Sequence, residues 1–201
     1  MVVMDSEELA ALRGVITRCR KCDLSKTRTN VVPGEGPADA DIMFIGEAPG
    51  RQEDLQGRPF VGRAGSLLDE LLDGVGVERG RVFIGNVLKC RPTSPLGKDR
   101  RPRAEEVSAC APYLDRQVEI IKPRVICTLG DTASSYILGR YGFKPDRIGR
   151  VHGKVFIKGA LRIVPSYHPA AALYRFQLRE TMEEDFRKLR DLLKQSFLES
   201  S

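Results

Sequence analysis

The chain has 201 residues, of which 41% are hydrophobic and 30% are charged. These proportions suit one globular domain over residues 1–201 with a buried core, and they exclude a predominantly disordered polypeptide. The longest apolar runs have four or five residues, and the N-terminal sequence lacks a basic segment followed by a long apolar stretch. We therefore expect a cytoplasmic protein with no secretory signal and no membrane partner.

Positive charge is concentrated in one segment of the chain. The net charge is +6, from 33 Lys and Arg against 27 Asp and Glu. Residues 89–103 contain six basic residues and one acidic residue, Asp99, and therefore hold nearly all of the excess. A basic loop beside glycines and prolines is suited to contacts with nucleic-acid phosphates, but a solvated surface loop has the same composition.

Helices and strands alternate along the predicted secondary structure. The first helix begins with a capping box at Asp5 and Glu8 and runs to Cys19. Strands are predicted at residues 42–45, 82–84 and 125–129, and a hairpin at 155–157 and 161–164. Further helices are predicted at residues 67–72 with an end at Gly74 or Gly76, at 102–121, at 131–138 and at the C-terminus, where the apolar stripe is Met182, Phe186, Leu189, Leu193 and Phe197.

This alternation predicts an α/β fold, a three-layer α/β/α sandwich with a central, mostly parallel four-stranded sheet. Ligands of such sheets bind beyond the carboxyl ends of the strands. The residues that follow these ends are Glu47, Asn86, Asp131 and His168. We therefore expect an acid, an amide and a histidine to face one crevice.

Several common enzyme motifs are missing from the sequence. There is no P-loop, no dinucleotide-binding glycine pattern and no nucleophile elbow. The two histidines, His152 and His168, are too few for a histidine-rich metal site. These absences argue against nucleotide hydrolysis, dehydrogenase chemistry and serine esterase chemistry.

The five cysteines divide into two groups. Cys127 lies in an apolar run and is predicted to be a core residue. Cys19 and Cys22 are spaced to bind one metal centre from a single turn, and Cys90 and Cys110 complete a set of four thiolates. One C-x-x-C with two isolated cysteines suits an iron–sulfur cluster slightly better than zinc, and reduced structural thiols are a third interpretation.

Two segments rich in glycine and proline are suited to binding a flat ring. Residues 46–65, GEAPGRQEDLQGRPFVGRAG, form a predicted tight loop in which Phe60 is placed to stack on a ligand. Residues 165–169, PSYHP, present His168 on a constrained turn. The alternative role for His168 is to cap the helix that follows it.

Together with NVLKCRP and HPAAAL, these motifs resemble the family 4 uracil-DNA glycosylases, the iron–sulfur branch of the uracil glycosylase superfamily. The resemblance extends from about Cys19 to about Arg175. It implies an α/β/α sandwich and a monofunctional enzyme that excises uracil, leaving an abasic site and starting base excision repair. It also implies a structural [4Fe–4S] cluster held by Cys19, Cys22, Cys90 and Cys110.

The resemblance implies roles for the residues around the base. Phe60 stacks on the extruded uracil, and Asn86 accepts a hydrogen bond from N3 and donates one to O4. Glu53 excludes the methyl group of thymine, and His168 stabilises negative charge on O2 as the base departs.

The resemblance also implies where water attacks, at a position lined by Glu47 and Ala48, and it places Ala48 and Pro49 among the residues that bind the substrate. Ala48 stands where the best-known uracil glycosylases have the aspartate that activates water. Glu47 is therefore the first candidate for positioning the water, and a backbone carbonyl is the second.

The implied partner is uracil-containing DNA, single- or double-stranded, bound by a monomer at the nucleoid. Neither terminus carries a clamp-binding peptide, so a sliding clamp or downstream repair enzymes as partners are left open. The residues expected to contact DNA are Arg91, Lys98, Arg100, Arg101, Leu173 and Arg175. Two other functions are kept as alternatives: a uracil-DNA-binding module without activity, and a relative that traps DNA covalently through a histidine, for which His152 is available.

Overall fold

One sheet forms the centre of the protein in the computed structural model, which describes residues 2–198 and the side chains of residues 4–194. Its strands are β1 (Ile42–Gly46), β2 (Phe83–Asn86), β3 (Val125–Leu129), β4 (Phe156–Lys158) and β5 (Leu161–Ser166). In the order β2-β1-β3-β5-β4, the first four run parallel and β4 pairs antiparallel with β5 at the edge.

The α/β fold with a mostly parallel sheet is confirmed, but the predicted number of four strands is wrong, since the described residues form five. The additional strand, β4, pairs with β5 over three residues through a turn at Gly159, whose φ is +59°. An edge strand is paired on one side only, and β4 is largely exposed. The sequence therefore shows the hairpin but not that its first strand joins the sheet.

Helices cover both faces of this sheet. They are α1 (Val2–Thr17), α2 (Leu24–Thr27), α3 (Arg51–Gln56), α4 (Arg63–Asp73), α5 (Ala104–Ile121), α6 (Asp131–Arg140), α7 (Ile148–Val151), α8 (Pro169–Ala172) and α9 (Gln177–Leu198), with a 3₁₀ turn at Arg79–Arg81.

Several predictions for helices and loops differ from the structure. Asp5 lies within the first turn of α1, so it is not the N-cap of the predicted capping box with Glu8. α5 begins at Ala104 rather than at residue 102. The segment 46–65, predicted as a loop, contains α3 and the start of α4, because Gly57 in the left-handed conformation (φ +69°) lets the chain turn between the two helices.

The two faces of the sheet belong to two separate cores. Met43 and Ile45 of β1 pack with side chains of α1, α5 and α6, whereas Ile42 and Phe44 pack with α4 and α9 on the other face. This alternation gives the three layers of the predicted sandwich. Cys127 lies in the second core, as predicted. In α9 the buried stripe is Met182, Phe186 and Leu189, and the side chain of Phe197 lies outside the described residues.

The strand register brings the carboxyl ends of the strands to one edge of the sheet. Gly46 at the end of β1 pairs with Asn86 at the end of β2, and Leu129 at the end of β3 pairs with Ser166 at the end of β5. The residues that follow these positions therefore share one side of the molecule. Across residues 2–198, a helix long and apolar enough to cross a membrane is not found.

Candidate active site

A cavity of about 380 Å³ opens at this edge of the sheet. Three of the four residues predicted from their positions after the strands line it, namely Glu47, Asp131 and His168. Ala48 and Pro49 line it as well. The fourth predicted residue, Asn86, is the last residue of β2 and is buried, with 2% of its surface exposed.

Asn86 and Phe60 both lie against Gly46, and Phe60 also contacts His168. The ring of Phe60 stacks on that of His168, with centroids 5.6 Å apart and planes inclined by 28°. A Cβ atom on Gly46 would collide with Oδ1 of Asn86 and would come within 2.8 Å of Cζ of Phe60. Only glycine therefore fits at this position. Phe60 thus lies beside both Asn86 and His168, although of the three only His168 lines the cavity, and their assignment to one base-binding site stays a prediction.

The backbone holds Phe60 in an unusual conformation. Its φ is +50°, in the left-handed region that residues with side chains seldom adopt. A Cβ atom on Gly65 would collide with the backbone carbonyl of Phe60, so a residue with a side chain cannot replace this glycine. Strained backbone of this kind costs free energy and occurs preferentially in binding sites.

Asn86 carries an unsatisfied polar atom. Its Oδ1 is buried and has no hydrogen-bond partner among the described residues. A buried acceptor without a donor is costly, at roughly 1–3 kcal/mol, and native proteins leave few of them. A donor such as a water molecule or the N–H group of a ligand would satisfy this acceptor.

His168 has a defined tautomer and charge. It is the N-cap of α8, and its Nδ1 accepts a hydrogen bond from the backbone N–H of Ala170 at 3.2 Å. Burial lowers the pKa of His168 to about 4, although the negative charge of Glu53 opposes the shift. The ring is therefore neutral at physiological pH, with its proton on Nε2. The capping role considered from the sequence is real, and it leaves Nε2–H free to act as a donor.

Glu47 and Glu53 are held by different parts of the protein. Thr132, in the first turn of α6, donates a hydrogen bond from Oγ1 to Oε2 of Glu47. Glu53, on α3, accepts hydrogen bonds at Oε1 from the backbone N–H groups of Val61 (3.0 Å) and Gly62 (2.9 Å). Glu53 thus fixes the turn that carries Phe60, and its exclusion of thymine stays a prediction.

The four cysteines of the predicted metal set line one cavity, between α1, α2 and α5. Arg28 donates from Nη1 to Sγ of Cys90, and the backbone N–H of Lys89 donates to Sγ of Cys110, both at 3.2 Å. Burial raises the pKa of Cys90, and that of Cys110 to about 11. Buried thiols of this kind need a cationic centre to become thiolates, while N–H groups aimed at sulfur are suited to thiolate ligands.

The donor set therefore fits a group held by several thiolates. Within residues 2–198, however, no three His, Cys, Asp or Glu side chains are placed to hold a single metal ion.

Comparison with known proteins identifies the family of this chain. Residues 33–194 match the model of the uracil DNA glycosylase superfamily. A type-4 uracil-DNA glycosylase of Archaeoglobus fulgidus is 50% identical over 181 residues, which cover 88% of this chain and 89% of the relative. Those of Sulfurisphaera tokodaii and Saccharolobus solfataricus are 47% identical and cover 94% of this chain, with 86% and 88% of their own lengths matched.

The chain belongs to the type-4 uracil-DNA glycosylases. The family expected from the sequence motifs is thereby confirmed.

In the structure, the basic residues of segment 89–103 differ in burial and in ion pairing, which the sequence does not show. Lys89 is buried, so it cannot contact DNA as a member of the loop. Arg91 donates to Asp99 at 2.6 Å, and Arg100 donates from Nη1 to Glu106 at 2.8 Å. Arg101 lines the cavity and has no ion pair among the described residues. These pairings also give Asp99 a structural partner, which the sequence did not show.

The chain after α8 exposes two aromatic rings. Leu173, expected to contact DNA, is half-buried and packs against the second core. Tyr174 and Phe176 are 84% and 75% exposed, and Arg175 between them is exposed as well. Roles of these residues in DNA binding stay predictions.

Two residues of the site were missed by sequence analysis. Thr132 contacts Glu47, and its position two residues after Gly130, just past the end of β3, could have indicated this. Tyr167 also lines the cavity and contacts His152, with ring centroids 4.8 Å apart. His152 itself bonds to Asp185 through Nδ1 at 3.2 Å and does not line the described cavity.

Proposed function

We propose that this chain removes uracil from DNA by hydrolysing its N-glycosidic bond and leaves an abasic site without cleaving the strand. The observation that carries the proposal is the unsatisfied Oδ1 of Asn86 beside the ring of Phe60, which itself stacks on His168. Family membership supports the same reaction.

The site is suited to recognising an extruded pyrimidine. A base inside a duplex is out of reach, so it has to leave the stack and enter a pocket. There Phe60 contacts the face of the ring, and Oδ1 of Asn86 accepts the hydrogen bond of N3–H. Uracil carries a proton on N3 and cytosine does not, so the same acceptor excludes cytosine. The Asn86 amide then donates to O4.

His168 stabilises the leaving base. When the bond between C1′ and N1 breaks, its electron pair goes to the base and negative charge develops on O2. The neutral ring of His168 donates Nε2–H to this oxygen without transferring the proton. Removing such a donor from other enzymes costs about 100- to 1,000-fold in rate.

Glu47 positions the attacking water. It lines the cavity and is held by Thr132, whereas the side chain of Ala48 beside it has no group that could bind water. The water oxygen forms the new bond to C1′ of the sugar, and the Glu47 carboxylate accepts the proton that the water loses.

Glu53 is placed to limit the size of the base. The carboxylate of Glu53 is fixed by two backbone N–H groups next to Phe60. Its negative charge also lies close enough to His168 to raise the pKa of that ring. A fixed carboxylate beside C5 of the pyrimidine would meet the methyl group of thymine.

The four cysteines are proposed to hold a [4Fe–4S] cluster. Cys19, Cys22, Cys90 and Cys110 supply the thiolates, and Arg28 and the Lys89 backbone donate to them. Bound there, the cluster would act as a cross-link between α1, the Cys90 segment and α5. Iron analysis and a visible absorption spectrum of protein purified without oxygen test this, since a colourless, iron-free and folded protein would contradict it.

Uracil-containing DNA, single- or double-stranded, is the proposed substrate, bound by a monomer in the cytoplasm at the nucleoid. The test is incubation with an oligonucleotide that contains one uracil, followed by alkali, which cleaves abasic sites. We expect cleavage at the uracil position with the wild type and none with a thymine control. Binding without an abasic product would favour a non-catalytic module, and an adduct that resists denaturant would favour a covalent trap.

A further inference from the structure

Lys89 lies in the protein interior although it belongs to the basic segment. Only 1% of its surface is exposed. Its Nζ donates hydrogen bonds of 2.7 Å to the backbone carbonyl of Asn86 and to Oε1 of Gln117. Gln117 in turn donates from Nε2 to the carbonyl of Pro33 at 2.7 Å, which fixes the orientation of its amide.

Filling this volume with a lysine costs more free energy than filling it with an apolar side chain. Burying an ammonium group costs free energy, and neither of these two acceptors is a carboxylate that would offset the charge. A methionine could occupy the same volume without that cost. The contacts of the ammonium group therefore point to a role other than packing.

The contact with Asn86 is the informative one. Asn86 ends β2, and the next residue, Val87, donates its N–H to the carbonyl of Gly46 at 2.9 Å. The hydrogen bond from Lys89 holds the Asn86 carbonyl, and the two bonds together fix the peptide that joins residues 86 and 87. The amide of Asn86 can match the edge of a base only if this backbone is held to within about 0.5 Å.

Lys89 also contacts the cysteine cavity through its backbone. Its N–H donates to Sγ of Cys110, and Cys90 follows it directly in the chain. Lys89 thus contacts both the backbone of the proposed base-reading residue Asn86 and the cysteines, which are otherwise separate sites. Through these two contacts of Lys89, a shift of the Cys110 segment would also move the backbone of Asn86.

We propose that Lys89 is a positioning residue that orients Asn86 for pyrimidine recognition and connects it to the cysteine cavity. This inference rests on the proposed uracil excision.

The test is a double-mutant cycle on uracil excision under single-turnover conditions. We expect Lys89→Met to lower the rate about 10- to 100-fold, because a displaced reacting group has effects of this size. In the Asn86→Ala background, Lys89→Met should cause no further loss, since its effect passes through Asn86. Iron content and visible absorption of each variant are measured alongside.

Gln117→Leu is the matched control, because it removes the other hydrogen bond of Nζ and leaves the contact with Asn86. We expect it to lower the melting temperature while the excision rate stays close to that of the wild type. A rate loss for Lys89→Met equal to that for Gln117→Leu would overturn the proposal. The proposal would also be overturned if the rate losses of Lys89→Met and Asn86→Ala added in the double variant.

Lys89→Gln is the second variant, for the case that Lys89→Met does not fold. Its amide is too short to reach the Asn86 carbonyl, and the same rate loss is expected. If neither variant folds while Gln117→Leu does, Lys89 serves the fold alone and the proposal is wrong. A wild-type protein without activity would instead reject the proposed function.

Discussion

The backbone N–H of Ala170 donates a hydrogen bond of 3.2 Å to Nδ1 of His168. Because this nitrogen is the acceptor, the proton of the neutral ring lies on Nε2. Helix capping and the proposed stabilisation of the leaving base therefore use opposite nitrogens of one ring. The cap sets the tautomer that the chemistry requires.

Replacing His168 is expected to slow bond cleavage while leaving DNA binding intact. His168→Ala should reduce the single-turnover rate of uracil excision about 100- to 1,000-fold, as the loss of an oxyanion donor does elsewhere. Since the pKa of His168 is lowered to about 4, the wild-type rate should show no inflection from this group near pH 6.5. A rate profile that follows a titration near that pH would contradict a neutral donor.

The same histidine should make stability depend on pH. Its pKa is about 4 in the folded protein and near 6.5 when exposed, so between these values the unfolded chain binds more protons. The free energy of unfolding should therefore fall as the pH is lowered from about 6.5 towards 4. Melting temperatures at pH 7 and pH 5 should differ less for His168→Gln than for the wild type. Equal differences in both proteins would show that this ring is not the cause.

Asn86→Leu is expected to separate stability from activity. The substitution removes the unsatisfied Oδ1, whose burial costs roughly 1–3 kcal/mol, and replaces it with apolar atoms of similar size. The melting temperature should stay the same or rise, while uracil excision falls at least about 100-fold. Thermal unfolding and excision are measured on the same preparation. A large loss of stability would mean that Oδ1 has a protein partner.

Arg100 and Arg101 should respond differently to substitution. Arg101 lines the cavity without an ion pair among the described residues, so Arg101→Ala should lower the slope of log affinity for DNA against log salt by about 1. Arg100 is held by Glu106, which is buried, and Arg100→Ala should mainly lower the melting temperature. Salt titrations of DNA binding by both variants decide this. An unchanged slope for Arg101→Ala would remove it from the DNA interface.

Glu47→Gln tests the proposed position of the water. The substitution keeps the size of the side chain and removes its ability to accept a proton, and we expect the excision rate to fall about 100-fold. Thr132→Val should cause a smaller loss, which disappears in the Glu47→Gln background because the two side chains act together. Near-normal excision by Glu47→Gln would favour a backbone carbonyl instead.

Much of the site follows from the sequence because its residues lie at strand ends. Short apolar runs identify β1, β2 and β3, and parallel strands bring the residues after them to one edge. Glu47, Asn86 and His168 could be found in this way. Phe60 could be found because an aromatic ring between proline and glycines is unsuited to a helix.

Other features depend on contacts between distant residues, which local patterns do not show. Lys89 looks like one more surface cation, but its partner Gln117 lies 28 residues away on α5. Arg100 appears as free as Arg101 until the fold places Glu106 beside it. The left-handed backbone of Phe60 depends likewise on the absence of a side chain at Gly65.

A crystal structure of the protein with free uracil is the most direct test of the site. We expect N3 of uracil within hydrogen-bond distance of Asn86 Oδ1, the ring against Phe60, and O2 facing Nε2 of His168. Uracil bound at any other place, or an Asn86 Oδ1 that remains without a ligand donor in the complex, would contradict this account.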